Sequence, residues 1–244
     1  MRKKVLFIAA AALMLCLPGA TAQKRVRQFG AFDHVSLGLS AGTPGIGFEV
    51  ATPLSDYLAL RAGYQFMPEL SYKTDVDYKN HGNTEQTEVE GKLKMGTLNM
   101  LLDIYPAPSS TFHFTTGFYY GTSDEIVTAE NTKPVLGVDG GLEIGDYIVG
   151  FDSEGYAKAS IDVARFRPYV GLGFGRAVPR KRFAFNFDMG VQFWGTPKVY
   201  ENQTGTKQQL TKENTGTDAG EVLKYISKVT VYPVINFRLT GRIF

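Results

Sequence analysis

The most constraining feature of this chain is an alternation of apolar and polar side chains that recurs along most of its 244 residues. A period of two places successive side chains on opposite faces of an extended strand. It is clearest at 183–193, where Phe185 and Phe187 flank Asn186 and Asp188 follows. The same pattern occurs in seven further segments: 34–41, 46–51, 58–66, 97–104, 111–120, 168–175 and 229–240. The sequence therefore predicts eight β-strands.

The connections between these segments help to identify the fold, because a soluble β-sandwich also alternates. Short connections are predicted at 52–56, 106–110 and 177–181, and long polar ones at 67–91, 121–165 and 195–228. The connection at 42–45 is the one short connection predicted on the side of the long loops. Short turns on one side and long loops on the other are typical of small transmembrane barrels with an even number of strands. We therefore expect an all-β fold, namely an eight-stranded antiparallel up-and-down transmembrane β-barrel.

Aromatic residues give a second indication, because their amphipathic rings collect at membrane interfaces. One predicted set ends the strands on the long-loop side: Tyr64, Phe66, Tyr119, Tyr120, Phe193 and Trp194. A second set lies near the short turns: Tyr57, Tyr105, Phe112, Phe166 and Phe183. The two sets predict an aromatic girdle at each end of the barrel.

The first 22 residues are predicted to be a secretory signal peptide. Basic residues at 2–4 precede an apolar run from Val5 to Leu17 that is too short to span a bilayer, and a small-residue cleavage site ends at Ala22. The predicted domains are therefore a signal peptide, 1–22, and one barrel domain, 23–244.

The composition excludes several kinds of site. The single cysteine, Cys16, lies in the predicted signal peptide, which excludes disulfides and thiolate chemistry from the remainder. The 26 basic and 24 acidic residues are nearly balanced, so no nucleic-acid partner is indicated. The histidines, His34, His81 and His113, do not have a metal-binding spacing. We expect no cofactor and no metal site.

Charged residues lie on the polar face of the predicted strands. Glu49, Arg61, Asp188 and Arg238 share this face, which points into the barrel. An eight-stranded barrel encloses only enough space for side chains to fill, so charges inside it must pair with each other or with trapped water. These four residues are predicted to form a polar network that fills the interior. A narrow path for ions or solutes is the alternative.

The final Phe244 and the strand RPYVGLGFGR at 167–176 resemble those of the small OmpA/OmpX-type outer-membrane barrels. In that family the terminal aromatic residue belongs to the signal read by the outer-membrane insertion machinery. In this chain Phe244 shares the parity of Thr240 and Arg242. The resemblance implies a monomer in the outer membrane of a Gram-negative cell, in contact with lipid and with the insertion machinery.

The resemblance also implies a structural or surface-interaction role without catalysis. The loops at 67–91, 121–165 and 195–228 are the expected site of a surface partner, since loops on a rigid scaffold often carry binding function. Alternation on both sides of 153–155 predicts a β-hairpin within the middle loop. A break in the alternation predicts a β-bulge or a strand start near Gly96.

His34 and Ser36 are the catalytic alternative. A few barrels of this kind are lipid A deacylases that use a His/Ser pair, and these two residues share a face two positions apart. Their place at the inner lower end of the first strand and the lack of an evident acidic partner disfavour that chemistry. We therefore expect the protein not to be an enzyme.

Overall fold

The computed structural model describes residues 30–80, 83–136, 141–144, 147–203, 206–211 and 217–243. The predicted signal peptide, His81 and Phe244 lie outside the described residues.

The described chain consists of antiparallel strands and one helix. Their bounds are β1 (Ser36–Gly42), β2 (Gly45–Pro53), β3 (Leu58–Asn80), β4 (Asn83–Ile104), β5 (Phe112–Gly121), β6 (Glu125–Asn131), β7 (Gly141–Ile144), β8 (Tyr147–Gly150), β9 (Lys158–Asp162), β10 (Phe166–Phe174), β11 (Phe183–Phe193), β12 (Lys198–Gln203), β13 (Thr206–Leu210), α1 (Thr217–Ser227) and β14 (Val231–Arg242).

Eight of these strands pair edge to edge in a closed ring. The order around the ring is β1, β2, β3, β4, β5, β10, β11 and β14, and β14 pairs with β1. Each ring strand is followed by the next ring strand in the chain, so the connectivity is up-and-down. The ring strands coincide with the eight alternating segments of the sequence. Strand pairing around a complete ring leaves no sheet edge there.

The two faces of the ring have opposite chemistry. On β11, Phe183 and Phe185 are 66% and 78% exposed on the outside, whereas Asn186 and Asp188 are 3% exposed inside. The same division holds for β14, where Phe237 is exposed and Arg238 is buried. Apolar residues usually occupy the interior of a water-soluble protein. This ring has the reverse arrangement, as membrane-embedded strands do.

Beyond the ring, the segments predicted as long loops form further strands. β3 and β4 continue past the ring as a hairpin. On one side β6 pairs with the outer part of β4, and β9, β12 and β13 follow in order. On the other side β7 and β8 pair with each other, and β7 meets β3 at Tyr78. We call these strands the outer sheet. The expectation of eight strands is thereby corrected to fourteen in the described residues, eight of which form the ring.

The hairpin predicted around 153–155 is wrong in its pairing. β8 pairs with β7, and β9 pairs with β6 and β12. The chain does turn there, because the amide of Asp152 donates to the carbonyl of Tyr156 at 2.7 Å. The side chain of Asn131 then draws the chain to β6. Its amide nitrogen donates to the carbonyl of Gly155 at 2.9 Å, and its oxygen accepts from the amide of Ala157 at 2.7 Å.

The irregularity predicted near Gly96 lies on the partner strand. Gly96 pairs regularly with Phe66, and the register shifts between Met67 and Leu70 of β3. Pro68 lies within this shift and has no backbone N–H to donate to a neighbouring strand. A β-bulge at this position bends the hairpin where it leaves the ring.

Gly175, which follows β10, requires a glycine. Its φ is +109°, and a Cβ atom at this residue would lie 1.9 Å from Oδ1 of Asn186. We expect Gly175→Ala to lower the free energy of unfolding by roughly 2 kcal/mol, because the backbone becomes strained. Urea unfolding of the refolded protein in detergent micelles measures this change.

Gly91→Ala is the matched control. A Cβ atom on Gly91 would meet nothing closer than 3.7 Å. Its unfolding free energy is expected to stay within about 0.5 kcal/mol of the parent. Equal effects of the two substitutions would contradict the conformation described for the turn after β10.

Candidate functional site

The centre of the ring holds a cluster of five charged side chains, which we call the ionic core. It consists of Glu49, Arg61, Asp103, Asp188 and Arg238, on β2, β3, β4, β11 and β14, and each is buried. The structure thus brings together the four residues that the sequence placed on the inner face. It adds Asp103, which the sequence analysis did not single out.

Arg61 crosses the ring. Its guanidinium lies 2.8 Å from Asp103, 3.4 Å from Glu49 and 3.6 Å from Asp188. β3 and β11 lie on opposite walls of the ring, so the contact with Asp188 connects the two walls.

Arg238 provides the second connection. Its Nε and Nη2 both donate to the carboxylate of Asp188, and its Nη1 donates to Glu49. Two-pronged contacts between arginine and a carboxylate are among the stronger charge-assisted hydrogen bonds. Glu49 and Asp188 therefore each contact both arginines, and the core is one continuous network.

His113 and Thr115 of β5 complete the core. Nε2 of His113 lies 2.9 Å from Asp188 and 3.9 Å from Asp103, and its Nδ1 lies 3.3 Å from the carbonyl oxygen of Thr111. The hydroxyl of Thr115 donates to Asp103 at 2.8 Å. The contact of His113 with Asp188 was not predicted from the sequence. Strand parity was the signal that could have placed it, because His113 alternates with two outward phenylalanines.

The lower end of the ring is closed by the connection between β10 and β11. Ala177 and Val178 are buried there against Ala51, Ala59 and Tyr105. We call residues 175–182 the lower plug.

Arg176 holds the lower plug in place. Its guanidinium lies 4.2 Å from the centre of the Tyr105 ring. It also donates to the carbonyl oxygens of Asp56, Pro108 and Ser110 at 2.8, 2.7 and 3.2 Å. These carbonyls belong to the turns between β2 and β3 and between β4 and β5. One side chain therefore joins three turns.

Ser36 belongs to this plug. Its hydroxyl donates to the carbonyl oxygen of Ala177 at 2.7 Å, and its side chain is buried. A serine hydroxyl has one proton to donate, and this geometry directs it to the main chain. The backbone carbonyl of His34 accepts from Thr52 at 3.0 Å. Both residues therefore form hydrogen bonds that help to close the lower end of the ring.

The upper end of the ring is covered by aromatic and apolar side chains. The Trp194 ring stacks on Tyr232 at 4.5 Å, and Arg167 lies 5.4 Å from the centre of the Trp194 ring. Met95, Ile126, Val163 and Trp194 form one buried cluster. We call this cluster the upper cap.

The predicted girdles need a correction. Tyr105, Tyr119 and Trp194 are buried inside the ring and do not face outwards. Each occupies a position at which the alternation points inwards, either within its strand or directly after the end of the strand. Other members of the predicted girdles are exposed on the outside: Tyr57, Phe66, Tyr120, Phe183 and Phe193. Phe166 is also exposed, but it was predicted near the short turns and instead pairs with Tyr120 at the long-loop end of the ring.

Two further features limit the chemistry of the described chain. None of its helices combines the length and the apolar character needed to cross a membrane. Among the same residues, no group of three or more His, Cys, Asp or Glu side chains is arranged to hold a metal ion.

Comparison with known proteins identifies the fold. No protein-family model and no curated protein matches the chain. The crystal structure of CarO from Acinetobacter baumannii matches with a TM-score of 0.50 and 17% identity, over 84% of this chain and 96% of CarO. That of CarO2 from the same organism matches with a TM-score of 0.52 and 16% identity, over 87% of this chain and 99% of CarO2. At these identities the likeness shows a shared all-β fold.

Arg238→Met is expected to destabilise the ring by about 3–5 kcal/mol, because it leaves Glu49 and Asp188 buried with one arginine fewer. Urea unfolding in micelles measures the loss. Lys73→Met is the control, since the ion pair of Lys73 with Glu88 joins side chains that are 53% and 42% exposed. Removing an exposed pair costs up to about 1 kcal/mol. A similar small loss for Arg238→Met would show that the ionic core does not support the ring.

Proposed function

We propose that the protein is an integral outer-membrane β-barrel, in which the ring spans the bilayer and the outer sheet stands on the cell surface. The observation that carries the proposal is the closed ring with apolar side chains outside and the ionic core inside. Inside a bilayer each backbone N–H and C=O group must be paired within the protein, and a closed ring of strands meets this requirement.

Most strands of the ring are long enough to support this proposal, although β1 has only seven residues. β2 and β10 have nine residues each, β11 has 11 and β14 has 12. Tilted strands of about 9–11 residues suffice to cross the apolar layer of a bilayer. The predicted signal peptide supplies the export route, and Phe244 remains the proposed contact with the insertion machinery.

The barrel is proposed to be closed and non-enzymatic. The ionic core links opposite walls, the lower plug seals one end and the upper cap covers the other. This arrangement disfavours a conducting path. The bond from Ser36 to the main chain likewise disfavours a lipid A deacylase that uses His34 and Ser36.

The proposed role is therefore structural, together with surface interaction through the outer sheet. The segments 67–91, 121–165 and 195–228 supply its strands and α1, and they are the proposed site of a surface partner. The protein is proposed to act as a monomer, without a cofactor or nucleic acid.

Leu39→Arg tests the membrane location. Leu39 is the central residue of β1 and is 68% exposed. In a barrel embedded in lipid, an arginine near the bilayer midplane costs about 2–4 kcal/mol. Unfolding from lipid vesicles measures this cost.

Tyr72→Arg is the matched control on the outer part of β3, where Tyr72 is 76% exposed. In contact with water this change is expected to cost no more than about 0.5 kcal/mol. If Leu39→Arg were equally well tolerated, the ring would not be embedded in lipid.

Conductance tests whether the barrel is closed. Protein reconstituted into planar bilayers is expected to leave the current at baseline, because the ionic core and both closures fill the interior. A general porin inserted by the same procedure is the positive control. Discrete current steps from the protein would favour the conducting alternative.

A further inference from the structure

The outer face of the molecule has a groove where the hairpin of β3 and β4 leaves the ring. Its volume is about 850 Å³. Tyr64 and Phe66 line it on the side of the ring. Lys92, Lys94 and Lys158 line it on the side of the outer sheet. We call it the lysine groove.

The fold creates the groove at the bulge of β3. Met67 and Pro68 line it, and the register shift between Met67 and Leu70 lies directly after Phe66. Gly96, opposite Phe66, leaves space at the floor. A Cβ atom on Gly96 would lie 2.6 Å from the hydroxyl of Thr122.

The acidic residues that line the groove are paired, but not all of its lysines are. Its two acidic residues already have lysine partners. Glu69 lies 3.9 Å from Lys92, and Glu125 lies 3.6 Å from Lys207.

Lys207 is itself held by Asp162 at 2.6 Å. Partial burial acts to lower the pKa of Lys207, but the hydrogen bond to Asp162 and the carboxylate of Glu125 raise it overall. Lys94 and Lys158 have no ion pair with any carboxylate of the described residues. The groove therefore presents two uncompensated ammonium groups.

The position of the groove indicates the kind of ligand. Phe66 belongs to the exposed aromatic residues at the upper end of the ring. Lys94 lies two residues beyond Gly96, the partner of Phe66 on β4, and Lys158 lies further out on β9. Aromatic rings lie at the level of lipid headgroups, and lysines there attract anionic lipids. This step rests on the proposed membrane location of the ring.

We propose that the lysine groove binds the phosphorylated headgroup of an outer-leaflet lipid. Lys94 and Lys158 donate to its phosphate oxygens, as ammonium groups do in phosphate sites. Tyr64 and Phe66 contact the apolar part of the lipid next to the headgroup.

The experiment is native mass spectrometry of the full chain, released from micelles that contain diphosphorylated lipid A. The parent protein is expected to retain this lipid and not its dephosphorylated form. The double variant Lys94→Gln/Lys158→Gln is expected to lose retention by roughly tenfold, since two lysine contacts are removed. Equal retention by parent and variant would overturn the proposal.

A second double variant, Lys181→Gln/Lys224→Gln, controls for net charge. Lys181 lies in the lower plug and Lys224 on α1, and retention is expected to match that of the parent. Loss in this variant would show that overall charge, not the groove, retains the lipid. Displacement of lipid A by millimolar inorganic phosphate would show a site for free anions and would also overturn the proposal.

Urea unfolding of each variant helps to distinguish a failure of the proposed lipid site from a failure of the proposed membrane location. All three proteins are expected to unfold at the same urea concentration. A parent that folds in micelles but retains no lipid A contradicts the groove alone. A failure of the proposed membrane location would instead appear in the Leu39→Arg experiment.

Discussion

The pairing of β1 with β14 is the constraint on which the rest of the structure depends. Seven residue pairs, from Ser36–Arg242 to Gly42–Asn236, join the first ring strand to the last. Without them the ring would be an open sheet with two long edges and an apolar face. With them, each ring strand has a hydrogen-bonded neighbour on both sides. Closure therefore permits the outer surface to be apolar.

Closure also determines what the interior can contain. Eight strands enclose a volume that side chains fill, so an inward charge must find its partners within the ring. Two arginines meet three carboxylates there, and space comes from inward glycines. A Cβ atom on Gly173 would lie 2.5 Å from Asp188 and 2.7 Å from His113.

An ion pair inside a protein is weak evidence of net stabilisation, because both charges lose their hydration. Its main effect is that removal of one partner alone is destabilising, because the other charge is then buried without its partner. The ionic core is therefore expected to fix the relative positions of the walls. Apolar residues of similar size would fill the space without this directional requirement.

The ring could be predicted from sequence because its signal is local. The alternation of each strand gives both its extent and the direction of its side chains, which placed Glu49, Arg61, Asp188 and Arg238 inside. Asp103 could have been placed by the same rule, because it shares the parity of Asn99.

The outer sheet could not be predicted in the same way. Most of its strands are short, and several pair with strands far away in the chain, as β4 does with β6 and β9 with β12. The direction of β9 depends on the two hydrogen bonds that join the side chain of Asn131 to Gly155 and Ala157, and no periodicity records them. The inward turn of Trp194 likewise depends on contacts with Tyr232 of β14 and Arg167 of β10, which lie on neighbouring strands and far away in the chain.

Accessibility of spin labels along β14 tests the central claim most directly. Single cysteines at Asn236, Phe237, Leu239 and Thr240 carry nitroxides, and the protein is reconstituted in lipid vesicles. Labels at Phe237 and Leu239 are predicted to collide with oxygen dissolved in the lipid. Labels at Asn236 and Thr240 are predicted to be shielded both from oxygen and from a water-soluble nickel chelate. Contact of the nickel chelate with the outward labels would contradict a membrane-embedded ring, and its contact with the inward labels would contradict a filled interior.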